Sequence, residues 1–268
     1  MTEGSRAERR APLRYWIIEG FAAGNLGFLS LDVYLAHAAN DFARTLEWVP
    51  VIFSAAAALV LLPGVVTGRF QHGAAAGAGW LAGSASVAVG ITGMVMHLDA
   101  VFFSEQTLKN LVYSAPFVAP LSYVGVGLLL ILNRMETRDA TEWARWVLFL
   151  ALAGFVGNFG LSLLDHAQNA FFDWEEWIPV VAAAYAVAFL LVQVLSPRDR
   201  LLAWSCLGVM AAQLGVGVAG FVLHAGANIA GASSTWENFI YGAPVFAPLL
   251  FANLAILATI GLWELLDE

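Results

Sequence analysis

The chain has 268 residues, of which 60% are apolar and only 12% are charged, and its mean hydropathy is +0.75. Soluble domains carry about 25% charged residues, so this composition excludes an ordinary soluble domain and predicts a protein that crosses a membrane several times. The net charge of −8 argues against nucleic-acid binding, and the single cysteine, Cys206, excludes a disulfide framework.

Eight apolar segments follow one another along the chain. They cover residues 14–37, 48–67, 74–97, 111–132, 144–166, 177–195, 201–224 and 239–262. Each is long enough to cross about 30 Å of hydrocarbon as a helix, and only a helix satisfies its own backbone groups in lipid. The predicted fold is therefore an all-α membrane protein with eight transmembrane helices.

The basic residues are distributed unevenly between the two sides of the predicted membrane protein. Ten of the twelve lie near the N-terminus or near the loops that follow the second, fourth and sixth apolar segments. The opposite side holds only Arg44 and Lys109. The positive-inside rule then predicts that both termini are cytoplasmic. We expect a multi-pass protein of the cytoplasmic (inner) membrane whose periplasmic face is acidic.

The two halves of the chain, residues 1–137 and 138–268, resemble each other. An offset of 129 carries His37 onto His166 and Glu47-Trp48-Val49-Pro50 onto Glu176-Trp177-Ile178-Pro179. Offsets of 127 and 128 carry His97 onto His224 and the Tyr113, Pro116 and Pro120 set onto Tyr241, Pro244 and Pro248. The pattern predicts a tandem duplication of a four-helix unit. Because each half has an even number of spans, the copies should run parallel.

Four histidines lie at the predicted outer ends of the odd-numbered spans: His37, His97, His166 and His224. A single histidine at a membrane interface often serves as an amphipathic end group. Anchoring does not require histidine at four matched places, although duplication of one ancestral residue also produces such a pattern. The matched set favours a histidine-ligated redox cofactor near the periplasmic face, in electron transfer or a membrane oxidoreductase.

Haem b is the favoured cofactor, because two neutral imidazoles on neighbouring helices are its usual axial ligands. The expected pairs are His37 with His97 and His166 with His224. A flat macrocycle also needs small residues beside it, and Gly93 and Gly220 each lie four residues before a histidine, on the same helix face. Close helix packing is the alternative explanation of these glycines.

A non-haem metal site is the second interpretation. The four histidines together with Glu47 and Glu176 offer imidazole and carboxylate ligands for an iron, zinc or copper ion. Copper is disfavoured because Met94 and Met96 beside His97 have no counterpart in the second half. The alternative for both glutamates is a hydrated position at a helix N-terminus, where a carboxylate is favourable anyway.

Polar residues within the spans suggest a third interpretation, a cation or small-molecule transporter. They are Glu19, Asn25, Asn158 and Gln213. Transport sites usually lie near the membrane midplane, whereas the repeated ionisable groups lie at the outer ends. Asp32 and Asp165 also match, because each follows a Gly-Asn-x-Gly segment by the same number of residues; the segments are Gly24-Asn25-Leu26-Gly27 and Gly157-Asn158-Phe159-Gly160. Only Asp165 directly precedes a histidine.

Eight helices, an internal four-helix duplication and four histidines are similar to the architecture of the haem A synthases. In that family the histidines lie on each half's even helices, and a glutamate lies three residues before a ligand histidine. Here the histidines end odd helices, and the residues three before them are Tyr34, Met94, Leu163 and Phe221. The resemblance covers architecture alone, and that family's activity is not expected.

The expected partners are the lipid bilayer and, through the acidic periplasmic face, a basic soluble electron carrier or other membrane subunits. Haem propionates usually take cationic partners, and only Arg44 and Lys109 are available on that face. Asn40, Asn169 and Asn228 would have to serve instead.

Overall fold

The computed structural model describes residues 12–135 and 139–267, and this part of the chain consists of helices and turns with no strand. Ten α-helices follow in order: α1 Leu13–Ala38, α2 Trp48–Thr67, α3 Gly73–Ala100, α4 Leu108–Val112, α5 Leu121–Leu132, α6 Ala140–Gln168, α7 Trp177–Leu195, α8 Arg200–Ala230, α9 Thr235–Tyr241 and α10 Leu249–Asp267. A short 3-10 turn precedes each of α2 and α7, at Thr45–Glu47 and Trp174–Glu176.

Six helices in the described part are long and apolar enough to cross a membrane: α2, α3, α6, α7, α8 and α10. The chain is therefore a multi-pass helical membrane protein. Two of the eight predicted spans fall outside this set. Helix α1 has 26 residues but carries Glu19, Asn25 and Asp32 among its apolar ones, and α5 is apolar but only 12 residues long.

The fourth and eighth predicted spans differ from the prediction because neither is one continuous helix. The fourth is broken between α4 and α5 over residues 113–120, and the eighth is broken between α9 and α10 over residues 242–248. Each break contains two prolines, Pro116 with Pro120 and Pro244 with Pro248. Proline removes a backbone donor and clashes with the preceding turn, so a helix does not continue through these sequences.

The described residues form two compact units. The first takes its residues from 12–89, 123–135 and 228–244, and the second from 90–122, 139–227 and 245–267. In the first unit an apolar core joins α1, α2, α3 and α5. Helices α3 and α5 approach closely at glycines: a Cβ atom added to Gly83 would lie 2.9 Å from the carbonyl oxygen of Gly127.

A buried ion pair completes the interior of the first unit. The guanidinium of Arg134 donates to both carboxylate oxygens of Glu19 at 2.5 and 2.6 Å, and the Asn133 amide donates to the same carboxylate at 2.8 Å. The two charged side chains are 1% and 0% exposed. The Arg134 guanidinium lies against Gly79, where any added Cβ atom would overlap it.

In the second unit, α6 packs against α7 and α10. Glycines again allow the close approach: a Cβ atom on Gly261 of α10 would lie 2.9 Å from the Leu148 side chain of α6. The buried positions repeat those of the first unit. Each of the seven buried residues of α1 has a buried counterpart in α6 at an offset of 129, and the four buried residues of α2 have buried counterparts in α7 at the same offset.

Candidate functional site

The chain leaves α1 through a tight turn that follows His37. We call residues 37–48 the His37 turn. Asp41 and Phe42 take left-handed backbone conformations, with φ of 57° and 51°, and the Phe42 amide donates to the His37 carbonyl at 3.1 Å. Non-glycine residues with positive φ are uncommon, and consecutive pairs require support from the surrounding structure.

The chain leaves α6 through a turn of the same form. We call residues 166–177 the His166 turn. Ala170 and Phe171 have φ of 61° and 52°, and the Phe171 amide donates to the His166 carbonyl at 3.0 Å. Equal backbone conformations at an offset of 129 make the two turns structural counterparts.

Each turn is held by a stacked pair of aromatic rings. Phe42 stacks on Trp48 with ring centroids 3.9 Å apart and planes 13° from parallel, and Phe171 stacks on Trp177 at 3.9 Å and 14°. The stack joins the left-handed residue to the first residue of the next helix, so it holds the strained backbone in place. Trp48 and Trp177 belong to the repeated Glu-Trp-x-Pro segments, whereas Phe42 and Phe171 were not predicted to take part. The signal was present, since Asn40-x-Phe42 and Asn169-x-Phe171 share the offset of 129.

In the first unit, the His37 ring faces the main chain at the end of its turn. Its Nδ1 lies 3.1 Å from the carbonyl oxygen of Glu47. A carbonyl only accepts hydrogen bonds, so Nδ1 must carry the hydrogen, and the lone pair of the neutral ring is on Nε2. In the second unit, His97 has the same arrangement, with Nδ1 3.1 Å from the carbonyl oxygen of Pro116 in the break between α4 and α5.

His166 faces a carboxylate instead of a carbonyl. Its Nδ1 is 3.8 Å from Oε2 of Glu176, a distance of ion-pair contact that is too long for a hydrogen bond. The Asn169 amide holds the other oxygen, Oε1, at 2.7 Å. Glu176 Oε2 is buried and accepts no hydrogen bond from the described residues. His224 lies close enough to His166 for the two rings to interact electrostatically.

The two glycines predicted to lie beside a cofactor face prolines. A Cβ atom on Gly93 would lie 3.0 Å from Pro120, and one on Gly220 would lie 2.7 Å from Pro248. Each glycine therefore packs against the proline that begins the following apolar segment. Gly217, one turn earlier on the same helix as Gly220, likewise faces the backbone of Ala252 and Pro248.

The predicted ligands fall in both units. His97, His166 and His224 belong to the second unit with Glu176, and His37 belongs to the first with Glu47. His166 contacts Glu176 and interacts electrostatically with His224. Over residues 12–135 and 139–267, no three His, Cys, Asp or Glu side chains are grouped as ligands of one metal ion.

The acids Asp32 and Asp165 are not counterparts. At the offset of 129 that relates the buried faces of α1 and α6, Asp32 corresponds to Leu161 and Asp165 to Ala36. Asp165 and Leu161 both line a cavity of about 10 Å³ that α6 forms with the break between α4 and α5.

The polar residues within the helices make contacts within one helix or between two helices. Besides the Glu19 pair, the Asn25 amide donates to the Phe21 carbonyl at 2.8 Å, and the Gln213 amide donates to the Ala182 carbonyl at 2.8 Å. The buried Asn158 Nδ2 has no hydrogen-bond partner among the described residues.

Comparison of the chain with protein families, with curated proteins and with solved structures finds no match.

Proposed function

We propose that the chain is a membrane redox protein that uses its histidines as axial ligands of b-type haem near the periplasmic face. The orientation of the histidine rings carries this proposal. For His37 and His97, Nδ1 donates to a backbone carbonyl, and for His166 it faces a carboxylate. Ligating histidines in proteins almost always donate from the second ring nitrogen, as His37 and His97 do here, and this fixes the ring and orients Nε2 toward the metal. An interfacial anchor requires no such arrangement.

Two histidines of one unit form the best-supported pair. His166 interacts electrostatically with His224, and His166 directly precedes a turn with a strained backbone and a stacked aromatic pair. His37 and His97 are divided between the two units, and their pairing stays a prediction from the sequence. Gly93 and Gly220, the other predicted cofactor contacts, are covered by prolines, so the rings carry the proposal without them.

The proposed architecture is a tandem duplication of a four-helix unit, with eight crossings that include α1 and the broken α4–α5 and α9–α10 segments. The common offset of buried positions and the twin turns support it. On this architecture both termini are cytoplasmic, and the histidines lie on the acidic periplasmic side. Haem would supply one-electron chemistry there, and the acidic surface would favour a basic soluble electron carrier.

A non-haem ion of iron, zinc or copper is the second candidate, and the contact between His166 and Glu176 favours it. Imidazole with a nearby carboxylate is a common ligand set for such ions. Glu176 Oε2 is buried and accepts no hydrogen bond from the described part of the chain, which leaves it available. Glu47 is the corresponding residue in the His37 turn. A cation or small-molecule transporter has no comparable observation in its favour.

An absorption spectrum of the purified protein in detergent tests the proposal. We expect a Soret band and a reduced-form α band that lose the contribution of one haem in His166→Ala and in His224→Ala. His72→Ala is the matched control, because His72 lies in the turn before α3 and should leave the spectrum unchanged. A colourless protein with stoichiometric metal by elemental analysis would select the second candidate. A protein that binds neither haem nor metal would refute both.

A further inference from the structure

The twin turns differ in the atom that faces the histidine. In the His37 turn the ring nitrogen meets the main-chain oxygen of Glu47, a neutral acceptor. In the His166 turn it meets the side-chain carboxylate of Glu176, at the corresponding position. The residue types are the same at the offset of 129, so the sequence alone makes the two histidines look equivalent.

The position of the Glu176 carboxylate follows from its contact with Asn169. The short 2.7 Å bond from Asn169 holds Oε1, and this turns Oε2 toward the ring of His166. Oε2 is buried, and within the described residues it accepts no other hydrogen bond. The side chains of His166 and Glu176 are 22% and 16% exposed, so water screens their interaction only in part.

We infer that Glu176 is a positioning residue that acts through His166 and lowers the reduction potential of the centre His166 binds. This inference rests on the proposed function. A carboxylate beside Nδ1 draws the ring proton toward itself and makes Nε2 a stronger donor. A stronger donor stabilises the more highly charged, oxidised metal. A backbone carbonyl has a weaker effect because it carries no net charge, whereas the carboxylate of Glu176 acts on the ring through its charge at 3.8 Å, without a hydrogen bond.

Potentiometric titration of the purified full-length protein, followed by its visible spectrum, tests the inference. Glu176→Gln keeps the shape of the side chain and removes its charge. Substituting a residue that contacts a ligating histidine alters metal affinity by about 10- to 100-fold, so we expect at least a tenfold change in preference between the two oxidation states. For one electron this is a rise of about 59 mV in midpoint potential.

Glu175→Gln is the matched control, because Glu175 is the exposed neighbour of Glu176 in the same turn and its substitution removes the same charge. We expect its midpoint potentials to equal those of the unaltered protein. Asn169→Ala provides a second variant that keeps the carboxylate but releases it, and it should raise the same potential by a smaller amount.

The outcomes separate the inference from the proposed function. An unaltered protein without any redox centre overturns both. A protein that binds its centre, but whose potential is the same with Glu176→Gln, overturns the inference alone. Equal shifts for Glu176→Gln and Glu175→Gln also overturn it, because a general effect of removing a negative charge from this turn would then explain the result.

Discussion

The buried pair of Glu19 and Arg134 allows a sharp test of how the interior of the first unit is stabilised. Glu19→Leu alone leaves the Arg134 guanidinium in a site where it is 1% exposed and has lost both carboxylate contacts. Breaking such a pair costs about 3–5 kcal/mol, because one buried charge is left without a partner. A loss of 3 kcal/mol lowers the folding equilibrium constant roughly a hundredfold.

Replacing both residues with leucine, Glu19→Leu together with Arg134→Leu, should restore most of the lost stability. At offsets of 129 and 128, the second unit has Leu148 and Leu262 in place of Glu19 and Arg134, and both leucines are fully buried. Buried ion pairs replaced by apolar residues are often neutral or stabilising. Leucine is shorter than arginine, so the space beside Gly79 would stay unfilled, at about 1 kcal/mol. We expect the double variant to lie within about 2 kcal/mol of the unaltered protein.

The measurement is unfolding of the purified protein in mixed micelles with increasing SDS, followed by far-UV circular dichroism. The three proteins should rank with Glu19→Leu least stable and the double variant near the unaltered chain. A Glu19→Leu protein as stable as the unaltered one would refute the reasoning. So would a double variant less stable than the single one, since the interior would then depend on the charges themselves.

Three further changes test other contacts. Ser54→Ala removes the 2.6 Å hydrogen bond between the hydroxyls of Ser54 and Tyr123, and it should lower the stability by about 1 kcal/mol in the same SDS titration. Unchanged stability would mean that the Pro50 carbonyl alone satisfies the Tyr123 hydroxyl. Gly220→Ala places a methyl group 2.7 Å from Pro248 and should lower the stability by about 1–3 kcal/mol. Gly24→Ala is the control, because its methyl group has no neighbour within 4 Å, and it should be neutral or stabilising. Equal thermal melting temperatures for the two variants would contradict the close contact. Asn228→Ala removes two bonds to the Ala243 backbone, at 2.8 and 2.9 Å, and should speed amide hydrogen exchange at Ala243; unchanged exchange would show that the break does not depend on Asn228.

The sequence predicted most of the apolar helices well, because hydropathy is a local signal. Helices α2, α3, α6, α7 and α8 lie where apolar runs predicted them. The breaks were missed although the prolines were recognised, because a proline near the start of a helix is also ordinary capping. The Nδ1 contacts were beyond prediction, since every residue has a carbonyl and no side-chain pattern marks Pro116 as a partner of His97.

The correspondence between α1 and α6 shows why a short motif misleads. The Gly-Asn-x-Gly segments match at an offset of 133, whereas the buried faces match at 129. The two offsets differ by four residues, which is close to one helical turn of 3.6 residues. Both alignments therefore preserve the amphipathic face, and only the pattern of burial distinguishes them.

On the proposed duplication, the two halves kept different parts of their polar structure. The interior pairs of the first unit, Glu19 with Arg134 and Ser54 with Tyr123, correspond to Leu148 with Leu262 and Ala183 with Phe251 in the second.

The turns, in contrast, kept their histidine, asparagine, phenylalanine, glutamate and tryptophan, together with a strained backbone that apolar packing does not require. Polar groups that only stabilise the fold can be exchanged for apolar ones, as the second interior was. Residues that hold a ligand cannot be exchanged in this way. The contrast therefore favours a structural role for the Glu19 pair and a ligand-binding role for the histidine turns.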